Sequence, residues 1–265
     1  MLLNLAGRRI YYDLTGAETG PVVCFTHSLS SDSGMWAEQL PPLLAAGWRV
    51  LRLDMRGHGG SDPVAGDYTM QQLADDVAFA LEALGLREVH YIGLSIGGMV
   101  GQTFALSYGA KLKSAMFCDT SPQTPPAAKE MWAPRIDAVT KANSVAPLAD
   151  ATMERWFTSK FKGRNPQRWQ QIHATIAGTT PAGFLGCAAA ILNLDNIAKL
   201  PSIKVPTLVV CGDDDPGTPP AGNKRIAELI PGGRYEEIAD ARHFPNVEHP
   251  EVFNDIMMRW LTRQR

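Results

Sequence analysis

Gly93-Leu94-Ser95-Ile96-Gly97-Gly98 decides the fold of this chain. An apolar run at 89–92 precedes it, and a helical pattern over 99–108 follows. A Gly-x-Ser-x-Gly at such a strand-to-helix junction is a nucleophile elbow. The turn is tight and strained, so small residues must flank the serine by two positions. The serine hydroxyl is then held at the sheet edge, over a helix N-terminus. The Ile96 N–H points into the same space, where it can stabilise an oxyanion. The bland reading is a glycine loop that only lets helix pack on strand. The spacing does not fit the dinucleotide pattern Gly-x-Gly-x-x-Gly.

Around this stretch, strand-like runs alternate with helical ones. The expected strands are 10–13, 22–27, 49–54, 89–93, 114–119, 207–212 and 234–238. Several are apolar on both faces, as in strands sandwiched between helices. A helix is expected over 69–84, with Leu73, Val77, Ala80, Leu81 and Leu84 on one stripe and Gly85 as its stop. Another is expected over 250–261, opening on Pro-Glu. This alternation implies an α/β fold with a mainly parallel sheet. It breaks between about 121 and 200, where prolines punctuate about four helices and no strand is clear. That segment holds Trp132, Trp156 and Trp169. We read residues 1–120 and 201–265 as one core and 121–200 as an inserted helical cap over a site.

A nucleophilic serine needs a base, and in this architecture the order is serine, acid, histidine. Only His243 and His249 lie late enough in the chain. His243 follows the last expected strand and is taken as the base. His249 directly precedes Pro250, at a helix start. The acid belongs at the end of another strand. Asp213-Asp214-Asp215-Pro216 follows 207–212, and Asp215 is chosen because the residue before a proline is held extended. Asp119, at the end of 114–119, is the rival. The acid would fix the imidazole tautomer and stabilise the imidazolium. The second oxyanion donor should come from His27-Ser28-Leu29-Ser30, as the Leu29 N–H. Alternatively, Ser28 and Ser30 only cap the next helix.

Composition excludes several other classes. The chain has 265 residues, with 25 basic against 27 acidic side chains. A formal net charge of −2 gives no basic excess for a nucleic-acid backbone. No apolar run approaches the roughly 20 residues of a membrane span. The N-terminus lacks the basic-then-apolar order of a signal peptide. Cys24, Cys118, Cys187 and Cys211 form no C-x-x-C pair. Buried free thiols in a reducing cytoplasm are expected. No metal-ligand spacing is recognisable, and the chemistry calls for no cofactor. Nothing in the sequence fixes an oligomeric state.

Together these pieces resemble the α/β-hydrolase superfamily. Asp54-Met55-Arg56-Gly57-His58-Gly59-Gly60-Ser61-Asp62 matches its D-x-R-G-x-G-x-S loop, which is structural there, so Arg56 and His58 receive no catalytic part. More narrowly, residues 93–102 look like 3-oxoadipate enol-lactonases. So do Met131-Trp132-Ala133-Pro134-Arg135-Ile136, Glu154-Arg155-Trp156-Phe157-Thr158 and 186–191 in the cap, and 214–220 and 246–250 in the core. Lids vary between hydrolase families while the triad does not. The resemblance implies an α/β-hydrolase fold: a mainly parallel central sheet flanked by helices, with an inserted helical cap. It also implies a small carboxylated enol-lactone as substrate, in the β-ketoadipate pathway of aromatic-compound breakdown.

That substrate carboxylate needs a cation. Arg135 is chosen, because a guanidinium grips a carboxylate with two hydrogen bonds. Lys160, Lys162 and Arg164 are alternatives. Trp132 and Trp156 would wall the pocket or pack cap on core. A carboxylesterase for neutral esters keeps the same triad without the cation. A cofactor-free perhydrolase or haloperoxidase, and a ligand receptor on this fold, are the other readings. A neutral p-nitrophenyl ester, or peroxide-dependent halogenation, separates them from the lactonase.

Overall fold

The apolar runs become eight strands: β1 (Leu2–Leu5), β2 (Arg8–Thr15), β3 (Val22–Thr26), β4 (Arg49–Leu53), β5 (Val89–Leu94), β6 (Leu112–Cys118), β7 (Thr207–Gly212) and β8 (Arg234–Ile238). The computed structural model describes residues 1–5 and 7–265. All eight strands form one sheet in the order β1-β2-β4-β3-β5-β6-β7-β8. β1 and β2 run antiparallel to their neighbours; the other pairs are parallel. Every residue of β3, β5 and β7 is buried. Successive side chains feed opposite cores, as the two-residue strand period requires. Val23, Phe25, Ile92, Met116 and Val210 face one core; Cys24, Tyr91, Phe117 and Val209 face the other. All four cysteines are buried and free.

One strand goes beyond the seven expected from sequence. β1 is a short edge strand whose residues alternate between exposed and half-buried, so its pattern carries little apolar signal. The other strands begin and end within two residues of expectation; β2 is longer by two at each end.

The helices are α1 (Leu40–Ala45), α2 (Met70–Ala83), α3 (Ile96–Tyr108), α4 (Ala128–Ala142), α5 (Ala149–Trp156), α6 (Ser159–Arg164), α7 (Pro166–Gly178), α8 (Pro181–Leu192), α9 (Pro220–Leu229), α10 (Pro245–Glu248) and α11 (Pro250–Arg263). α2 opens on a capping box. The Gln72 N–H donates to Thr69 Oγ1, and the Thr69 N–H donates to Gln72 Oε1. Between β6 and β7 lie five α-helices, α4 to α8, where about four were expected. Pro134 does not break a helix there; it sits inside α4. The ends of this segment meet in a single bridge, Gln123 to Asp195. Among the described residues, no single helix is long and apolar enough to cross a membrane.

Chain order places β3 at the centre, with β4 on one side and β5 on the other. Connections leave this point in opposite directions. In open α/β sheets such a switch point leaves a crevice beyond the carboxyl ends of the strands. Ser95, Asp119, Asp215 and the 27–30 loop all follow strand ends there.

Candidate active site

Ser95 follows β5 directly and is the N-cap of α3, with φ 58° and ψ −119°. This is a conformation that L-residues rarely adopt, and the surroundings hold it. The Ser95 N–H donates to the Cys118 carbonyl at 2.9 Å, and Thr120 Oγ1 donates to the Ser95 carbonyl at 2.7 Å. A Cβ on Gly93 would meet the Gly97 backbone, and one on Gly97 would meet the Thr26 backbone. The small residues of the motif are therefore required by close contact of α3 with β3 and β5. Ser95 Oγ has no hydrogen-bond partner among the described residues and faces a cavity of about 350 Å³.

His243 lies in the loop after β8, is buried, and lines the same cavity. Its Nδ1 is 2.8 Å from Asp215 Oδ2. With the proton on Nδ1, the ring donates to that carboxylate and leaves Nε2 free. Asp215 also accepts from the Gly217 N–H (2.7 Å), the Thr218 N–H (3.2 Å) and Thr218 Oγ1 (2.6 Å). Burial alone would raise its pKa. The opposing pull of His243 and these donors brings it down to about 2.

The rival acid is also close. Asp119 has φ 43° and is fully buried. Its Oδ1 accepts from the Gly212 N–H at 2.9 Å, while Oδ2 has no partner among the described residues. Burial, and then the charge of Asp215, raise its pKa well above its ordinary value. One donor atom each from Asp119, Asp215 and His243 falls within 4.8 Å of the others. Asp215 and the Nδ1 of His243 are already committed to each other. His249, the other late histidine, turns away from the cavity, with Nε2 2.8 Å from the Asp240 carbonyl oxygen. Asp213 accepts from the Ala241 N–H and Asp214 pairs with Arg242, as solvated or backbone-bonded neighbours should.

The N–H groups of Leu29 and Ile96 meet no acceptor among the described residues, and both segments border the cavity. The loop carrying Leu29 is fixed by two histidines. The Ser30 N–H donates to His58 Nε2 at 3.1 Å, and the Met55 N–H donates to His27 Nε2 at 2.8 Å. Burial lowers the His58 pKa to about 3 and that of His27 to about 4, so both rings are neutral acceptors. Ser28 and Ser30 do not cap the next helix, the 3-10 helix Ser33–Gln39; Asp32 does, accepting from the Gly34 N–H. Arg56 is bound to Asp76.

Helices α4, α5 and α8 supply much of the cavity wall, through Trp132, Arg135, Thr152, Arg155, Trp156 and Phe184. Arg135 lies over the Trp132 ring at 5.3 Å. Trp156 stacks on Phe244 at 4.0 Å and comes within 6.4 Å of the His243 ring. It both packs and lines. Lys160, Lys162 and Arg164 do not reach the cavity. They meet Asp240, the Trp169 ring and Glu248 respectively. Arg155 and Thr218 were not singled out in the sequence. Arg155 was visible only as the neighbour of Trp156.

A family model described as alpha/beta hydrolase fold matches residues 21–250. The chain is 33% identical to 3-oxoadipate enol-lactonase 1 of Acinetobacter baylyi, across 97% of this chain and 94% of that protein. Its structure superposes on the enol-lactonase of Burkholderia xenovorans LB400 with a TM-score of 0.93, at 32% identity, covering 99% of this chain and 100% of that one. A thermophilic esterase from Thermogutta terrifontis, solved with malate bound, gives 0.91 at 29% identity, covering 99% and 97%. Match, identity and superposition each span nearly the whole chain, and the chain belongs to the alpha/beta hydrolase family as an ester- or lactone-hydrolysing enzyme.

Proposed function

We propose that this hydrolase opens a small carboxylated enol-lactone, converting 3-oxoadipate enol-lactone to 3-oxoadipate, with Ser95, His243 and Asp215 as its triad. The observation that carries the reading is a cavity lined by the free Ser95 hydroxyl, by His243 with Asp215 behind it, and by arginines that meet no carboxylate among the described residues. Similarity to two enol-lactonases supports the substrate, as does the esterase relative that holds malate, a dicarboxylate.

His243 Nε2 takes the Ser95 proton as Oγ attacks the lactone carbonyl. The Leu29 and Ile96 N–H groups receive the oxyanion. The ring C–O bond breaks, and the enol oxygen leaves with the proton from His243. Tautomerisation of the enol to a ketone makes opening effectively irreversible. His243 then draws a proton from water, which attacks the acyl carbon and frees Ser95 with release of a carboxylate. Asp215 stabilises the imidazolium in both halves. Residues 121–200 act as a cap that closes the cavity, and Arg135 receives the carboxylate carried by the substrate.

Steady-state hydrolysis of the enol-lactone tests this. We expect a kcat/KM well above that for a neutral p-nitrophenyl ester, and a loss of roughly 10⁴-fold or more in Ser95→Ala. Near-normal turnover by Ser95→Ala would overturn the mechanism. Faster hydrolysis of the neutral ester would overturn the substrate.

A further inference from the structure

The cavity wall contains no aspartate or glutamate, yet it contains two arginines, Arg135 and Arg155. Both are half-buried. Elsewhere most shielded guanidiniums meet a carboxylate, as Arg52 meets Asp13, Arg56 meets Asp76 and Arg168 meets Glu38; Arg49, far from the cavity, is an exception. The two cavity arginines meet no carboxylate among the described residues. Arg135 has the Trp132 face, and Arg155 donates to Thr152 Oγ1 at 3.0 Å. Burial, and then the charge of Arg135, lower the Arg155 pKa to about 10. Two like charges without counter-ions cost stability in the empty enzyme. A ligand anion would offset that cost.

We infer that Arg155 and Arg135 together form a two-guanidinium pole that receives the carboxylate of an acidic acyl group, which makes Arg155 a second specificity determinant. This rests on the proposal above that Ser95 is the nucleophile of this cavity. Lactone chemistry suits such a pole. The acyl and leaving halves of a lactone remain one molecule after ring opening, so the carboxylate stays on the acyl-enzyme through both steps. The pole would then hold the same group during acylation and deacylation. The class of substrate is an ester or lactone whose acyl chain ends in a carboxylate.

The test uses two synthetic esters with equal acyl length, mono-p-nitrophenyl adipate and p-nitrophenyl hexanoate. The readout is the ratio of their kcat/KM values. We expect the wild type to prefer the acidic ester, Arg155→Gln to lower the ratio at least tenfold, and Arg155→Lys to hold it within about threefold. We also expect Arg155→Gln to melt no lower than the wild type, since it relieves the repulsion from Arg135. A ratio within twofold of wild type in Arg155→Gln overturns the inference. A measurement on the wild type alone is independent of folding in the variants: adipate should compete with p-nitrophenyl hexanoate better than adipamide does, and the reverse order overturns the pole. Turnover of the enol-lactone with an unchanged ratio sinks the pole and keeps the lactonase. Loss of the ratio in Arg155→Gln without enol-lactone turnover does the opposite.

Discussion

Asp119 and Asp215 end adjacent strands, β6 and β7, and their carboxyls lie close together in a buried place. Two such groups cannot both ionise. His243, Thr218 and the Gly217 N–H favour the charge on Asp215, while burial and that charge push the pKa of Asp119 up. The two should therefore respond differently to the same substitution. Asp119→Asn keeps a side-chain oxygen that can still accept from the Gly212 N–H. Its kcat/KM should stay within about fivefold of wild type. On the proposed mechanism Asp215→Asn removes the charge that steadies the imidazolium, and it should cost roughly 10⁴-fold in kcat. A larger loss in Asp119→Asn than in Asp215→Asn would mean that Asp119 is the acid. Sequence order named both residues but left a rival standing, because each follows a strand and precedes a turn. The deciding partner, Thr218, lies three residues beyond Asp215, in a stretch whose resemblance assigned it no role. Arg155 was hidden for a related reason. On α5 it sits between Glu154 and Trp156, and an arginine there reads as a solvated face until the tertiary fold turns it inward.

The elements that carry the site differ in how plainly they were written. The elbow was legible because its glycines answer to backbone contacts a few residues away, between β3, β5 and α3. The segment between β6 and β7 was legible as helical, and its tryptophans marked it as packed against something. What they pack against is set by residues about 90 positions away, and no local pattern carries that. Trp156 shows the consequence. It is buried, stacks on Phe244 beside the catalytic-histidine candidate, and its carbonyl accepts from the Phe244 N–H at 3.2 Å. The adjacent Thr158 N–H donates to the buried Glu248 carboxylate at 3.0 Å. This junction pins α5 to the His243 loop. Trp156→Ala opens a void at the joint and should lower the unfolding free energy by about 3–5 kcal/mol, read from denaturant melts. A loss below about 1 kcal/mol would show that the stack holds nothing together and that Trp156 serves the ligand alone.

Across the whole molecule, charge is nearly balanced, and pH acts through a few buried groups rather than through net charge. His27, His58 and His90 are held neutral in the fold, with pKa values lowered to about 4, about 3 and about 4. His90 is the cleanest to test, since it lies on β5 away from the cavity, with Nδ1 2.8 Å from Ser114 Oγ and a buried Nε2 that has no partner among the described residues. Burial, and then the charge of Lys113, lower its pKa. In the unfolded chain it binds a proton near its ordinary pKa of about 6.5. Between about pH 6.5 and 4 the unfolded state thus holds more protons than the folded one, and the unfolding free energy falls as pH falls. Asp54 and Asp119, whose carboxyls burial raises, act with the opposite sign over part of this range. The total slope mixes these contributions, so the informative quantity is a difference. His90→Asn keeps a polar group near Ser114 but cannot titrate. It should be less stable than wild type at pH 7.5, and its deficit should shrink steadily towards pH 4.5 in urea melts. Parallel stability curves for the two proteins over that interval would mean that His90 is not held neutral by burial.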